Sequence, residues 1–497
     1  MDKKYILALD EGTTSLRTLV YDVSEHKLKA SANIPFEQIY PQPGWVEHDA
    51  SEIWEAQLST IKEATKDIGI ENVAAIGITN QRETVVAWDC DTGKPLYNAI
   101  VWQCRRTAKM CESLEKDGLS DMVKQKTGLL IDPYFTATKI KWLLDNVPEV
   151  KACCEQGKLM VGTIDTWLIY KLTGGKVFVT DYSNASRTML FNINTLEWDR
   201  EILDVLGIDE KILPKVVPSV GIVGYTDEET VGARIPISGI GGDQQCALFG
   251  QNCFDVGNAK NTYGTGCFIL MNTGDKPVFS QNGLLTTIAW GMDGKVTYAL
   301  EGSVYNAGSV IKWLRDELKM IKSAAETDTI VYEVEDNGGV YLVPAFTGLG
   351  APFWDSYARG TVVGMTRGTT REHFIRAAVE SLAFQSKCIF DAMAEDAGMP
   401  ITELKADGGV SVCDFLLALQ ADLLDIPVMR PEVTESTGLG AIYMAGIGAG
   451  IWKNTDEIKK NWKLARKFEP SDRKELSNKE YKTWLRAVER ASNWIEE

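Results

Sequence analysis

The sequence holds little of what metal and disulfide scaffolds are built from. Only three histidines occur (His26, His48 and His373), and none of the ten cysteines forms a Cys-x-x-Cys pair. A zinc framework and a secreted disulfide scaffold are therefore excluded, and reduced, mostly buried thiols are expected. Positive charge is scarce too: the net charge is −17 and no long basic tract occurs. Phosphate backbones and anionic membranes are bound by clustered Lys and Arg, so neither nucleic acid nor a membrane surface is an expected partner. A small phosphorylated ligand needs only a few local donors and stays open. No apolar run reaches the ~20 residues of a membrane span. The least charged stretch, STGLGAIYMAGIGAGIW (436–452), is short and rich in Gly and Ala, and reads as a tightly packed helix of a soluble protein. The opening MDKKYILALDEG has no apolar segment of signal-peptide length. The expected location is the cytoplasm.

What is present is an ordinary globular composition, 44% hydrophobic and 24% charged over 497 residues. That length accommodates two large α/β domains, or three of ordinary size. The chain opens with an apolar run (Tyr5 to Leu9), a polar Gly turn (Asp10 to Ser15), and strand-like segments around Leu19–Tyr21 and Leu28–Ile34. This predicts an antiparallel meander. A helix is predicted from Ala50 with Ser51 as N-cap, then a strand over Val73 to Thr79. The segment NAKNTYGTGCFILMNTG (258–274) repeats the strand, Gly-Thr turn, strand order about half the chain later. A single Gly-Thr turn is commonplace, but two at this separation suggest a duplicated architecture with both turns facing one cleft. The turn-rich QNCFDVGN (251–258) marks the join, giving domains over 1–252 and 253–497. Further on, Thr370 to Ala397 predicts a long helix stopped at Gly398-Met399-Pro400. ELKADGGVSVCDFLLALQADLL predicts strand, Gly-Gly turn and helix. The charged tail (453–497) predicts a solvated pair of surface helices.

Four constellations carry chemistry. LDEGTTS (9–15) places an acid, a sharp turn and three hydroxyls together, suited to a phosphate with a carboxylate beside it for a metal-bound water. It is not a P-loop, lacking the Gly-Lys-Ser/Thr end, and by itself it fits an ordinary hairpin. ISGIGGDQQCALFG (237–250) sets Asp243 at a strand-to-helix switch, a usual position for a catalytic carboxylate and equally for a helix N-cap. ADGGVSVCDFLLALQ (406–420) offers exposed backbone to a nucleotide. IGITNQRETVVAWD (76–89) drives Asn80, Gln81, Arg82 and Glu83 between apolar flanks that read as a strand pair. Its ordinary explanation is a structural ion pair.

In this order the segments resemble the FGGY carbohydrate kinases, within the actin-like and Hsp70-like ATPase superfamily. The likeness runs nearly the full length. It is carried by DEGTTS, PGWVEHD (43–49), GITNQRET (77–84), NAIVWQCRRT (98–107), YFTATKIKWLLDN (134–146), DTWLIYKLTGG (165–175), NASRTMLFNI (184–193), GDQQCALFGQ (242–251), KNTYGTGCF (260–268), VPAFTGLGAP (343–352), GTVVGMTRGTTREHFIRAAVE (360–380) and ADGG (406–409). It implies an α/β fold of two ribonuclease-H-like (actin-like ATPase) domains flanking a cleft, the first binding polyol and phosphate and the second nucleotide. It implies phosphoryl transfer from ATP, with Mg²⁺, to a terminal hydroxyl of glycerol. Asp243 matches the general base. Arg82, Glu83, Trp102, Tyr134, Asp243, Gln244 and Phe268 match the polyol pocket. Asp10 and Asp243 match the positions beside Mg²⁺. Thr13, Thr14, Ser15, Arg17, Thr265, Gly308 and Gly409 match contacts to ATP or ADP. The expected partners are the small-molecule substrate and further copies of the chain, as a dimer or tetramer.

Some positions depart from the family pattern. Glu11 stands where a Gln is usual, so it should point away from the phosphate site or be offset by Arg17. Cys413 and Lys312 replace residues that contact the nucleotide in relatives, and neither is carried over. The loop EETVGARIP (228–236) lacks the Gly-Gly-Lys pattern of sugar-bisphosphate inhibition. Competing readings are a kinase of a longer sugar such as a ketopentose, an ATPase that moves partners, and a binding-only paralogue. The last would need Asp243 lost.

Overall fold

The computed structural model describes residues 4–495. The first three residues of the N-terminal stretch and the last two of the charged tail lie outside them. The first half lays down β1 (Tyr5–Glu11), β2 (Ser15–Asp22), β3 (Lys27–Pro35), α1 (Ala50–Thr65), β4 (Val73–Asn80), β5 (Val220–Tyr225), β6 (Pro236–Gly242) and α2 (Asp243–Gly250). The strands form one sheet in the order β5-β6-β4-β1-β2-β3. Ile6 to Leu9 of β1 are buried on both faces, as a central strand requires, whereas β3 alternates exposed and half-buried residues as an edge strand does. The predicted meander is present. The cap of α1 is Asp49, not Ser51: its carboxylate accepts from the backbone N–H groups of Ser51 and Glu52. An Asp side chain two residues earlier reaches both free donors, which Ser51, already helical, does not.

The second half adds β7 (Asn258–Tyr263), β8 (Cys267–Gly274), β9 (Leu285–Met292), β10 (Lys295–Val304), α3 (Gly308–Asp316), α4 (Arg371–Ala397), β11 (Glu403–Asp407), α5 (Asp414–Leu424), β12 (Val428–Pro431), α6 (Ser436–Gly448), β13 (Leu464–Phe468) and α7 (Lys474–Ala491). Its sheet runs β9-β10-β8-β7-β11-β12-β13. The duplication is thus visible strand for strand. In each half an antiparallel hairpin (β1-β2, β7-β8) is followed by a parallel neighbour of its first strand (β4, β11) and a second parallel strand beyond it (β6, β12). The long helix α4 starts after Thr370, which forms a capping box with His373, and stops at Gly398 with φ +61°.

The tail differs from expectation. Besides the short helix Thr455–Lys459 it supplies the edge strand β13 and the helix α7, whose Trp484 and Ala491 are fully buried in the second core. Its charge pattern was read as solvated throughout because Trp484 and Tyr481 lie on one face of an otherwise polar helix.

Helix α6 lies against β6, β4 and β1 of the first sheet and crosses α2, although it belongs to the second half by sequence. Four of its thirteen residues are glycine, which costs an isolated helix about 1 kcal/mol each. Close packing offsets that cost. A Cβ on Gly440 would sit 1.8 Å from the Cys246 carbonyl oxygen, and one on Gly250 would sit 2.0 Å from that of Ser436. The backbones are in contact, so no side chain fits. Gly440→Ala is expected to destabilise the protein by about 2–3 kcal/mol through overpacking against rigid backbone. A urea midpoint equal to wild type would contradict the close crossing.

Candidate active site

The carboxyl ends of the parallel strands β1, β4 and β6 converge, and ligands of open α/β sheets sit at such ends. In register, Asp10 pairs with Thr79, and Asn80 pairs with Gly242. Asp10, the Gln81–Thr84 turn and Asp243 are therefore neighbours although far apart in sequence.

The polar run 80–83 is not part of a continuous strand pair. β4 stops at Asn80, and Val85–Asp89 belongs to a separate four-stranded sheet with Glu47–His48, Ala99–Ile100 and Leu159–Thr163. Gln81–Thr84 turn between the two sheets. Glu83 takes φ +62°, and the Thr84 N–H donates to the Arg82 carbonyl at 2.7 Å. Such a conformation costs a non-glycine residue about 1–2 kcal/mol. It is held by Thr136 Oγ1 and Lys139 Nζ, both donating to the Glu83 carbonyl at 3.1 Å. Lys139 also donates to the Tyr134 carbonyl at 2.7 Å. Burial lowers its ammonium pKa to about 7.

Arg82 and Glu83 are 3.9 Å apart and find their close partners elsewhere. Arg82 Nη2 donates to Glu301 Oε1 at 2.9 Å, and Nη1 donates to Glu301 Oε2. Arg82 Nε lies 3.1 Å from Asp243 Oδ1. Arg187 Nε donates to Glu83 Oε1 at 2.6 Å, and its Nη2 to Glu301 Oε1 at 3.1 Å. The result is an alternating array, Asp243–Arg82–Glu301–Arg187–Glu83. Burial alone would raise the Glu301 carboxyl, but Arg187 and Arg82 together hold it down to about 2. Burial raises Glu83 despite Arg187 and Arg82. Gly242 is required for the passage of Arg82, since a Cβ there would lie 2.6 Å from Arg82 Cδ.

Asp243 opens α2 directly after β6. The N-cap is Gly242, so Asp243 is the first helical residue and not the cap. Its Oδ1 accepts from the Gln244 N–H at 2.8 Å and its Oδ2 from Gln244 Nε2 at 3.2 Å. Its side chain is 32% exposed, while those of Arg82, Glu83, Arg187 and Glu301 are 2% exposed or less.

Trp102 packs edge-on to Tyr134, with centroids 5.5 Å apart, and its indole Nε1 donates to Thr13 Oγ1 at 3.0 Å. The indole and the first Gly-Thr turn are thereby joined. Burial raises the Tyr134 hydroxyl pKa. In the turn, the Gly12 N–H donates to the Ser15 carbonyl at 3.0 Å, and Thr14 is exposed. Arg17 stands opposite Asp10 in the hairpin and donates to Glu435, the cap of α6. Glu11 points to the other face of β1, where it is buried and accepts from Gln81 Nε2 at 2.8 Å. Of the two expectations for Glu11, pointing away is the one observed.

Around the second turn, Gly264-Thr265, three segments meet. The Gly308 N–H donates to the Gly264 carbonyl at 2.9 Å, and the Val410 N–H to the Tyr263 carbonyl at 3.2 Å. Gly409 is exposed with open space where a Cβ would point. The Ala307 and Ser309 N–H groups donate to the Thr265 carbonyl at 2.9 and 3.0 Å, so the start of α3 is bound to the second turn. Cys413 is buried, caps α5 and directs its thiol to Asp328, while Lys312 is exposed. Phe268 follows the second turn on β8 and is half-buried, and its carbonyl accepts from Lys260 at 3.2 Å.

Asp10 fits a cation. Burial raises its carboxyl to about 7, with Arg17 opposing and Asp243 and Glu435 adding like charge. Among the described residues no group of three His, Cys, Asp or Glu forms a metal cluster. Mg²⁺ needs only one or two carboxylates when phosphate oxygens complete its shell.

Sequence reasoning passed over Glu301, Arg187, Lys260 and Lys139. Arg187, Lys139 and Lys260 lie inside motif segments already singled out. Glu301 had a signal of its own, a lone acid in the apolar strand YALEGSV.

Two duplicated sheets, paired Gly-Thr turns and an acid at the strand ends define a phosphotransferase of actin-like ATPase architecture. The model of the FGGY family of carbohydrate kinases, N-terminal domain, matches residues 5–250, and that of the C-terminal domain matches 259–449. The chain belongs to the FGGY family of carbohydrate kinases. A relative named glycerol kinase, from Caldanaerobacter subterraneus subsp. tengcongensis, is 58% identical over 496 residues, covering 99% of this chain and 100% of that one. The solved structure of Plasmodium falciparum glycerol kinase with ADP is 38% identical, with TM-score 0.94 over 100% of this chain and 99% of that one. A xylulose kinase structure from Lactobacillus acidophilus, 24% identical with TM-score 0.88 over 98% of each chain, shares the fold.

Glu301→Gln should leave two buried guanidinium groups without their shared counter-charge, at a cost of about 3–5 kcal/mol. Because the folded carboxyl is depressed from 4.5 to about 2, its contribution is complete above about 4.5 and disappears as pH falls toward 2. The gap in urea midpoint between wild type and variant should follow that course. A gap that persists unchanged toward pH 2 would count against the array.

Proposed function

We propose that the protein transfers the γ-phosphoryl group of ATP to a terminal hydroxyl of glycerol, giving sn-glycerol 3-phosphate. The observation that carries this reading is Asp243: it alone among the five members of the charged array keeps a substantially exposed carboxylate, 32% against 2% or less. An exposed acid at a rigid array is positioned to take a proton from an incoming hydroxyl. In the reaction, the hydroxyl oxygen bonds to the γ-phosphorus as the β–γ bridging bond breaks. The proton goes to Asp243, and ADP leaves with the electron pair. Trp102, Tyr134 and Phe268 offer apolar surface to the carbon chain. Arg82, Glu83 and Gln244 border it with polar groups. Thr13, Thr14, Ser15, Arg17 and Thr265 hold phosphates, and Gly308 and Gly409 border the nucleotide. Asp10 and Asp243 would hold Mg²⁺, which supplies charge neutralisation on the phosphates.

The division into halves 1–252 and 253–497 gives each substrate its own side of one cleft. The relatives named glycerol kinase support glycerol over a longer sugar. All ten cysteines are free thiols, as suits the cytoplasm. We further propose a homo-oligomer as the working form.

A coupled assay of ADP release with glycerol, xylulose and gluconate tests the reading. Glycerol should be the preferred acceptor, and Asp243→Asn should lower kcat about 10²–10⁴-fold with a smaller change in glycerol KM. Turnover of only the sugars, or a near-normal Asp243→Asn rate, would refute it.

A further inference from the structure

Lys260 is a fully buried cation that none of the roles above uses. It stands on β7, three residues before Tyr263 and the Gly264-Thr265 turn, and so belongs to the second half. Its Nζ donates to Thr262 Oγ1 at 3.0 Å, to the Phe268 carbonyl at 3.2 Å and to the Gln244 amide oxygen. The same Gln244 amide donates through Nε2 to Asp243 Oδ2 at 3.2 Å. An unbroken path of polar contacts therefore runs from the second half to the exposed carboxylate of the first.

The direction of each bond is fixed by chemistry. An ammonium only donates, so Gln244 must present its carbonyl oxygen to Lys260. The NH₂ group is then forced toward Asp243. Without Lys260 the amide can flip, and its oxygen would face the Asp243 carboxylate repulsively. Lys260 thus selects the amide orientation that holds Asp243 Oδ2, while the Gln244 backbone N–H holds Oδ1. The carboxylate plane is set from both oxygens. Burial lowers the ammonium pKa to about 8, against the attraction of Asp407, Asp243 and Glu301. The ammonium is satisfied by its three polar contacts and not stranded.

We propose that Lys260 is a positioning residue for the phosphoryl-transfer step, acting through Gln244 to orient Asp243. Because Lys260 also grips Thr262 and the Phe268 carbonyl on either side of the second Gly-Thr turn, the base is tied to the segment that borders the nucleotide. The proposal rests on Asp243 being the base.

The test is a double-mutant cycle with glycerol and ATP on the full chain, comparing wild type, Lys260→Met, Gln244→Met and the double variant. Replacing both partners by apolar groups of similar shape leaves no unpaired buried donor, so the double variant keeps the measurement possible where a single variant unfolds. Each single variant should lose kcat about 10- to 100-fold, part of the ~10²–10⁴ supplied by a positioned base. In Lys260→Met glycerol KM should stay within about twofold, whereas Gln244→Met also removes a polar border of the pocket and is read on kcat alone. The double variant should be no slower than the worse single, because one path is cut once or twice with the same result. Wild-type kcat in the double variant would overturn the proposal. So would single-variant losses that multiply, or, in Lys260→Met, a raised glycerol KM with kcat unchanged. Absence of glycerol phosphorylation in the wild type would instead refute the functional reading itself.

Discussion

Two buried guanidinium groups must be neutralised, and the molecule is organised around that requirement. Arg82 and Arg187 lie out of solvent, and each isolated buried charge would cost several kcal/mol. Glu301 shares its two oxygens between them, and Glu83 and Asp243 close the ends. Arg82 and Glu83 come from the turn after β4, Arg187 from the segment after the short helix Tyr182–Ala185, Asp243 from the start of α2, and Glu301 from β10 of the other half. None of these elements can shift much without uncovering a charge. The array is thus at once a tie between the halves and a rigid floor for the cleft.

The same floor explains the contrast between its members. Four are locked by one another, and only Asp243 reaches solvent. A reacting group needs a fixed orientation and an open face, and the array supplies the first while the β6–α2 junction supplies the second. Gly242 permits this by leaving room for the Arg82 stem. The Trp102–Thr13 bond and the Lys260–Gln244 contact then connect the floor to the two Gly-Thr turns. The floor and the two Gly-Thr turns are parts of one hydrogen-bonded body.

Much of the fold was legible from local signals. The hairpin turns, the long α4 with its glycine stop and the glycine-rich α6 are written in short-range pattern, because caps, turns and periodicity act over a few residues. The tail was misread for a related reason: a helix with a few buried aromatics among many charges looks solvated until its partner surface is known. The expected cap Ser51 and the observed cap Asp49 differ because sequence locates helix ends only to within a residue or two.

By itself, the sequence determined the order of elements, the doubled Gly-Thr hairpin, and the segments in which Asp10, Arg82, Glu83, Trp102 and Asp243 stand. Each rests on contacts near in the chain or on a recognisable motif. The tertiary structure alone decided the partners. Arg82 meets Glu301 across 219 positions and Arg187 meets Glu83 across 104. Such pairs form only when two sheets bring their strand ends together. Composition and spacing could offer Arg82 and Glu83 as a pair of neighbours. Burial, which makes an unpaired charge costly, assigned each of them a different partner.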